Sequence, residues 1–79
     1  GLKGINAMDL SRIIQVIDLE SQKAVFDFND TLVPQINDTL VYKSVQYEVI
    51  SRQFLAGRFG RPVQLMCKVV HTDYVPIGC

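Results

Sequence analysis

Seventy-nine residues allow one small domain and leave no room for a second lobe, close to the lower limit for burying a core without disulfides, metal or a partner. With 48% apolar and 20% charged residues the chain lies far from the disordered regime. A formal net charge of zero weakens non-specific binding to phosphate backbones, which depends on counterion release.

No apolar run approaches the roughly 18 residues of a membrane-spanning helix, and nothing near Gly1 joins a basic region to a long apolar stretch as a secretory signal does. The expected location is the cytoplasm, with no membrane partner. The opening "GLKGINA" has no apolar periodicity and stands ahead of Met8, so residues 1–7 read as an added leader and residues 8–79 as the domain.

The first element admits two readings. Leu10, Ile13, Ile14 and Ile17 fall at i, i+3, i+4 and i+7, with Asp9 or Ser11 able to cap, which suits a short amphipathic helix. The run "IIQVI", however, is almost wholly β-branched, and such side chains lose rotamer freedom in a helix. A strand from Arg12 to Leu19 is the expectation, with the helix as the alternative, and the polar "LESQK" reads as the turn that follows.

From Lys23 onward the period is two. In "KAVFDF" the residues Ala24, Phe26 and Phe28 share one face. "VPQIND" is a connection, because Pro34 cannot donate to a ladder and Asn37-Asp38 tolerates left-handed backbone angles. "DTLVYK" and "QYEVISRQFL" are rich in β-forming residues and read as a hairpin over Asp38 to Leu55. The intervening "SV" lacks the Asn-Gly that suits a two-residue turn, which predicts a longer loop centred on Lys43 to Gln46. After "AGRFGRP", where Gly57 and Gly60 can take positive φ, comes a strand in "VQLMCKVV". There Val63, Leu65, Cys67 and Val69 face the core, while Gln64 and Lys68 face away.

Five short strands in chain order predict an all-β fold, a small five-stranded antiparallel meander or barrel, with a short N-terminal helix as the one variation. In "VPQINDTLVYKSVQYEVISRQF" the residues Pro34, Asp38, Tyr47 and Val49 match a Pro-x-x-Gly-Asp, short strand, Tyr-x-Val pattern. On these residues the chain resembles small bacterial SH3-like β-barrel proteins. Asn37 stands where that pattern has glycine, and Ser44-Val45 replaces its turn glycine. The resemblance covers about a quarter of the chain and implies a fold, not an activity.

Little in the sequence points to catalysis. His71 is the only histidine and has no second base beside it. His71, Asp73 and Cys79 are three potential metal ligands without the paired spacing of a structural zinc site, so neither metal nor cofactor is expected. Asp27, Asp30 and Asp38 read as turn formers, Cys67 as a small core residue, and "GRFG" lacks the Gly-Lys-Ser/Thr of a phosphate loop. A non-enzymatic role is expected.

Interaction is the remaining class. Val25, Val41, Ile50, Phe54, Met66 and Val70 alternate away from the core positions and predict an apolar second face that another copy covers, as a homodimer. The expected contact residues are Ile50, Phe54 and Met66 with Arg58, Phe59 and Arg61 of the "GRFGR" loop, toward a second copy or another protein partner. The alternative is a nucleic-acid surface. Residues 1–41 carry three basic and six acidic side chains, and residues 42–71 five basic and one acidic. Lys43, Arg52, Arg58 and Arg61 with Tyr42 would then line a phosphate backbone and stack bases.

Overall fold

A computed structural model describes residues 10–77 of the chain. It contains five strands, β1 (Arg12–Asp18), β2 (Lys23–Asp30), β3 (Thr39–Tyr42), β4 (Val45–Phe54) and β5 (Val63–Thr72), and among the described residues no helix. The β-branched run from Ile13 to Ile17 is strand, as its side-chain entropy favours, and the helical alternative is corrected.

All five strands form one curled sheet, a half-barrel, in the order β2-β1-β5-β4-β3. The sheet is mixed, which corrects the purely antiparallel expectation. Five strands that alternate in direction leave the first and last pointing the same way, so the β1 to β5 ladder, Ile14 opposite Val63 through Asp18 opposite Cys67, is parallel. The remaining ladders, β1 with β2, β3 with β4, and β4 with β5, are antiparallel. The break in the ring falls between β2 and β3. Their connection turns onto β4 instead: the Asn37 N–H donates to the Val49 carbonyl at 2.8 Å, and the Val49 N–H to the Asp38 carbonyl at 2.9 Å.

The concave side holds the core. Ile14 and Val16 from β1, Tyr47 and Val49 from β4, and Val63, Leu65 and Cys67 from β5 are buried, with Phe26, Phe28, Leu40 and Tyr42 packed against them from the two edge strands. Three register shifts interrupt the strict period of two. Val25 is the extra residue of β2 against Val16 and Ile17, Val70 that of β5 against Gln46 and Tyr47, and Ile50 that of β4 against Cys67 and Met66. Each bulge adds twist and curl, and each moves the residues beyond it to the opposite face. Ala24 therefore pairs with Ile17 on the convex side rather than joining Phe26, and Arg52 and Phe54 lie on the same side as Tyr47 and Val49.

The turns show where the chain accepts strain. Lys43 and Ser44, at φ 50° and 64°, form a two-residue primed turn without glycine, so the longer loop expected over Lys43 to Gln46 is corrected and Val45 and Gln46 belong to β4. Asn37, at φ 80°, takes the third position of a turn closed by the Asp38 N–H on the Gln35 carbonyl. That is the position at which the SH3-like pattern has glycine.

Candidate interaction surface

The residues expected to form one contact surface are distributed over several places. The Arg61 N–H donates to the Arg58 carbonyl at 3.1 Å and Gly60 has φ 84°, the geometry of a type II turn with Phe59 at its second position. A Cβ at Gly60 would meet Ile13 Cδ1 at 2.7 Å, so the turn lies against the Ile13 side chain, and the positive φ is what calls for glycine there. Phe59 projects from it and is 99% exposed. The Arg61 guanidinium is engaged within the chain, donating to the Leu10 carbonyl at 2.7 Å and to that of Ser11 at 3.3 Å. Arg58 is exposed, and its guanidinium pairs with no carboxylate among the described residues.

Phe54 is not on the second face. The Ile50 bulge turns it toward the open end of the half-barrel, opposite buried Val63, where it remains 49% exposed. The guanidinium carbons of Arg12 and Arg52 lie 5.4 and 5.5 Å from its ring centroid, a cation–π arrangement on both counts. Arg52 also donates to the Pro34 carbonyl at 3.4 Å and so ties the β2 to β3 connection to this end. Met66 pairs with Ile17 and Ser51 on the convex side, and Ile50 occupies its bulge. Lys43 and Tyr42 belong to the other end of the sheet, with Lys43 Nζ 5.4 Å from the Tyr42 ring centroid. The five residues expected to meet nucleic acid thus fall at opposite ends of β4.

The convex side is less apolar than the alternation predicts. A row of glutamines crosses β1, β5 and β4 on this side, close to the start of β5 and the end of β4: Gln64 donates to Gln15 at 2.9 Å, and Gln53 to Gln64 at 3.1 Å. Lys68 pairs with Glu48 at 3.7 Å beyond it. The Lys68 to Glu48 pair stands between Met66 and Val70 along β5, and the glutamine row borders Met66 on its other side.

Sequence reasoning missed the seam between β2 and β3. No Cα of one strand comes within 8 Å of the other, and no backbone hydrogen bond joins them. Side chains alone bridge the gap: the rings of Phe26 and Tyr42 stack at 4.1 Å and 12°, and Phe26 meets Tyr47 at 5.6 Å. Alongside this stack lies a slot of about 280 Å³ lined by Phe26, Asp27, Phe28, Leu40, Val41 and Tyr42. Alternation showed Phe26 and Phe28 facing inward, but it carries no signal for which strands pair.

The reactive groups are spread out. Cys67 is fully buried, its thiol 3.7 Å from the Leu65 carbonyl, and burial pushes that thiol up to about 11, well away from nucleophilic use. Burial likewise raises the Tyr47 phenol, with Asp18 adding to the effect. The His71 ring meets Tyr74 edge-on at 5.5 Å. Among the described residues no three of His, Cys, Asp and Glu are grouped to hold a metal ion, and Cys79, named with His71 and Asp73 as a potential ligand, lies outside them. Among the same residues no helix is long and apolar enough to cross a membrane.

No protein-family model, curated protein or solved structure matches this chain.

Proposed function

We propose that the chain is a non-enzymatic protein-interaction or structural module that self-associates, as a dimer in the simplest case, and that the β2 to β3 seam is where it does so. The observation that carries this reading is the seam itself: two strand edges without backbone partners, more than 8 Å apart at Cα, flanking a slot lined mainly by aromatic and aliphatic side chains. Unpaired edges attract further strands, and apolar slots attract side chains, unless something covers them. The half-barrel offers little other core: seven residues are buried in the whole described chain, so added burial from a partner weighs heavily. A free, buried thiol at Cys67 suits a reducing compartment and supports a cytoplasmic location as part of the same proposal. Kinship with small bacterial SH3-like barrels belongs to the same proposal, since Asp38 and Val49 of that pattern are hydrogen-bonded neighbours. Sedimentation from about 1 μM to about 1 mM is the test, with a mass rising above one chain expected; a single-chain mass throughout removes the reading.

The cationic end favours a second reading. Arg12 and Arg52 flank Phe54 without a carboxylate partner among the described residues, and Arg61 and Arg58 stand nearby in the chain's fold, a combination that single-stranded nucleic acid can use by stacking and phosphate contact. Fluorescence anisotropy with labelled single strands at low salt decides it: binding that Phe54→Ala weakens supports this reading, and no binding at roughly 100 μM protein ends it.

A further inference from the structure

We infer that Phe59 of one copy seats in the β2 to β3 slot of a second copy, so that self-association is a knob-into-slot contact rather than apposition of convex faces. The inference rests on the self-association proposed above and adds which residues meet.

Three observations converge on it. Phe59 is a fully displayed aromatic ring on a turn whose backbone is fixed by the Arg58 to Arg61 hydrogen bond and by Gly60 against Ile13. Presentation on a preformed turn lowers the ordering cost of docking a ring, and buried aromatics dominate the energetics of small interfaces. The slot is an apolar cavity of about 280 Å³ with room for an aromatic side chain, and Phe26, Phe28 and Tyr42 offer it ring neighbours. Charge matches as well. Arg58 beside the knob and Asp27 on the slot wall are both exposed, and neither has an ion-pair partner among the described residues. Lys43, next in sequence to Tyr42 of the slot, lies with its Nζ 5.4 Å from the Tyr42 ring centroid at the turn end of β3.

Within one chain the contact does not form. The knob belongs to the β4 to β5 connection, pinned on β1 through Ile13 and Gly60, and it stands free of every slot residue at 99% exposure. The convex face competes poorly, because the Gln15, Gln64 and Gln53 row and the Glu48 to Lys68 pair interrupt it. Closed reciprocally the contact makes a twofold dimer; unreciprocated it makes an open chain.

The chain contains no tryptophan, so Phe59→Trp introduces a single fluorophore at the knob. Its emission is expected to shift to the blue as concentration rises, in step with the sedimentation mass. Phe59→Ala is expected to weaken association at least about tenfold while leaving the circular dichroism unchanged. The slot variant combines Asp27→Lys with Val41→Lys, both at exposed positions, and is expected to weaken association equally. Mixing the Phe59→Ala variant with the slot variant then restores one intact knob and one intact slot, and a one-to-one heterodimer is expected. If wild type associates but Phe59→Ala associates equally well and the Phe59→Trp emission stays at its solvent-exposed value, the knob inference is overturned and the self-association reading survives. A single-chain mass for wild type throughout removes both.

Discussion

The centre of the sheet and its seam are held together by different means. At the centre, β5 is paired on both sides, to β1 and to β4, and its inward residues Val63, Leu65 and Cys67 are completely buried. At the seam, β2 and β3 each have one backbone partner and meet only through side chains, with Phe26 on Tyr42 as the principal contact. A doubly paired strand satisfies its polar backbone and fixes its neighbours' register, whereas a side-chain bridge does neither. The same five-stranded sheet is therefore continuously hydrogen-bonded through β1, β5 and β4 and interrupted between β2 and β3.

The most severe way to break this comparison is at the centre. Leu65→Ala removes a fully buried side chain where both neighbours are already paired, and urea unfolding is expected to show a loss of about 3 kcal/mol. Alkaline titration probes the same place through Cys67. Its thiol ionises near pH 9 when unfolded but only at about 11 in the fold, so its contribution is intact below pH 9 and is lost as pH rises through 11. About 2 kcal/mol of stability is expected to disappear over that window, and Cys67→Ala should flatten the slope. A Cys79→Ser background keeps Cys67 the sole thiol for a parallel labelling measurement, in which modification waits for unfolding.

At the seam the expected effect is smaller. Phe26→Ala deletes a half-buried ring, so its cost to the monomer is expected at about 1.5 kcal/mol, roughly half that of a buried aromatic. A loss as large as that of Leu65→Ala would show that the seam is part of the core and not an opening. The smallest effect has the opposite sign. Lys43→Asn with Ser44→Gly relieves two positive-φ side chains in the β3 to β4 turn and is expected to raise stability by about 1 kcal/mol in the same unfolding assay.

The strands were legible because alternation survives along most of their length, and Leu65 and Cys67 were correctly read as inward for that reason. The parallel β1 to β5 ladder was not anticipated, because alternation along a strand does not say which strands pair, and only that pairing brings the first and last of five alternating strands together. Bulges were not legible either. Nothing in "YEVISRQF" marks Ile50 as an extra residue, yet that insertion carries Phe54 from the convex side to the end where Arg12 and Arg52 hold it. The Lys43-Ser44 turn was hidden because neither residue is a usual occupant of positive φ. Arg58, Phe59 and Arg61 were identifiable as residues the turn does not require, and the structure separates their roles: Arg61 pins the start of β1, while Phe59 and Arg58 face outward. The slot had no local signature, because it arises from two strands that fail to pair.

Amide hydrogen exchange followed by mass spectrometry, at concentrations below and above self-association, tests the central claim most directly. Peptides covering β5 are expected to be protected at both concentrations, and those covering β2 and β3 to exchange readily in the single chain and gain protection on association. Association without any new protection in β2 and β3, or seam amides as slow as those of β5 in the single chain, would contradict the account.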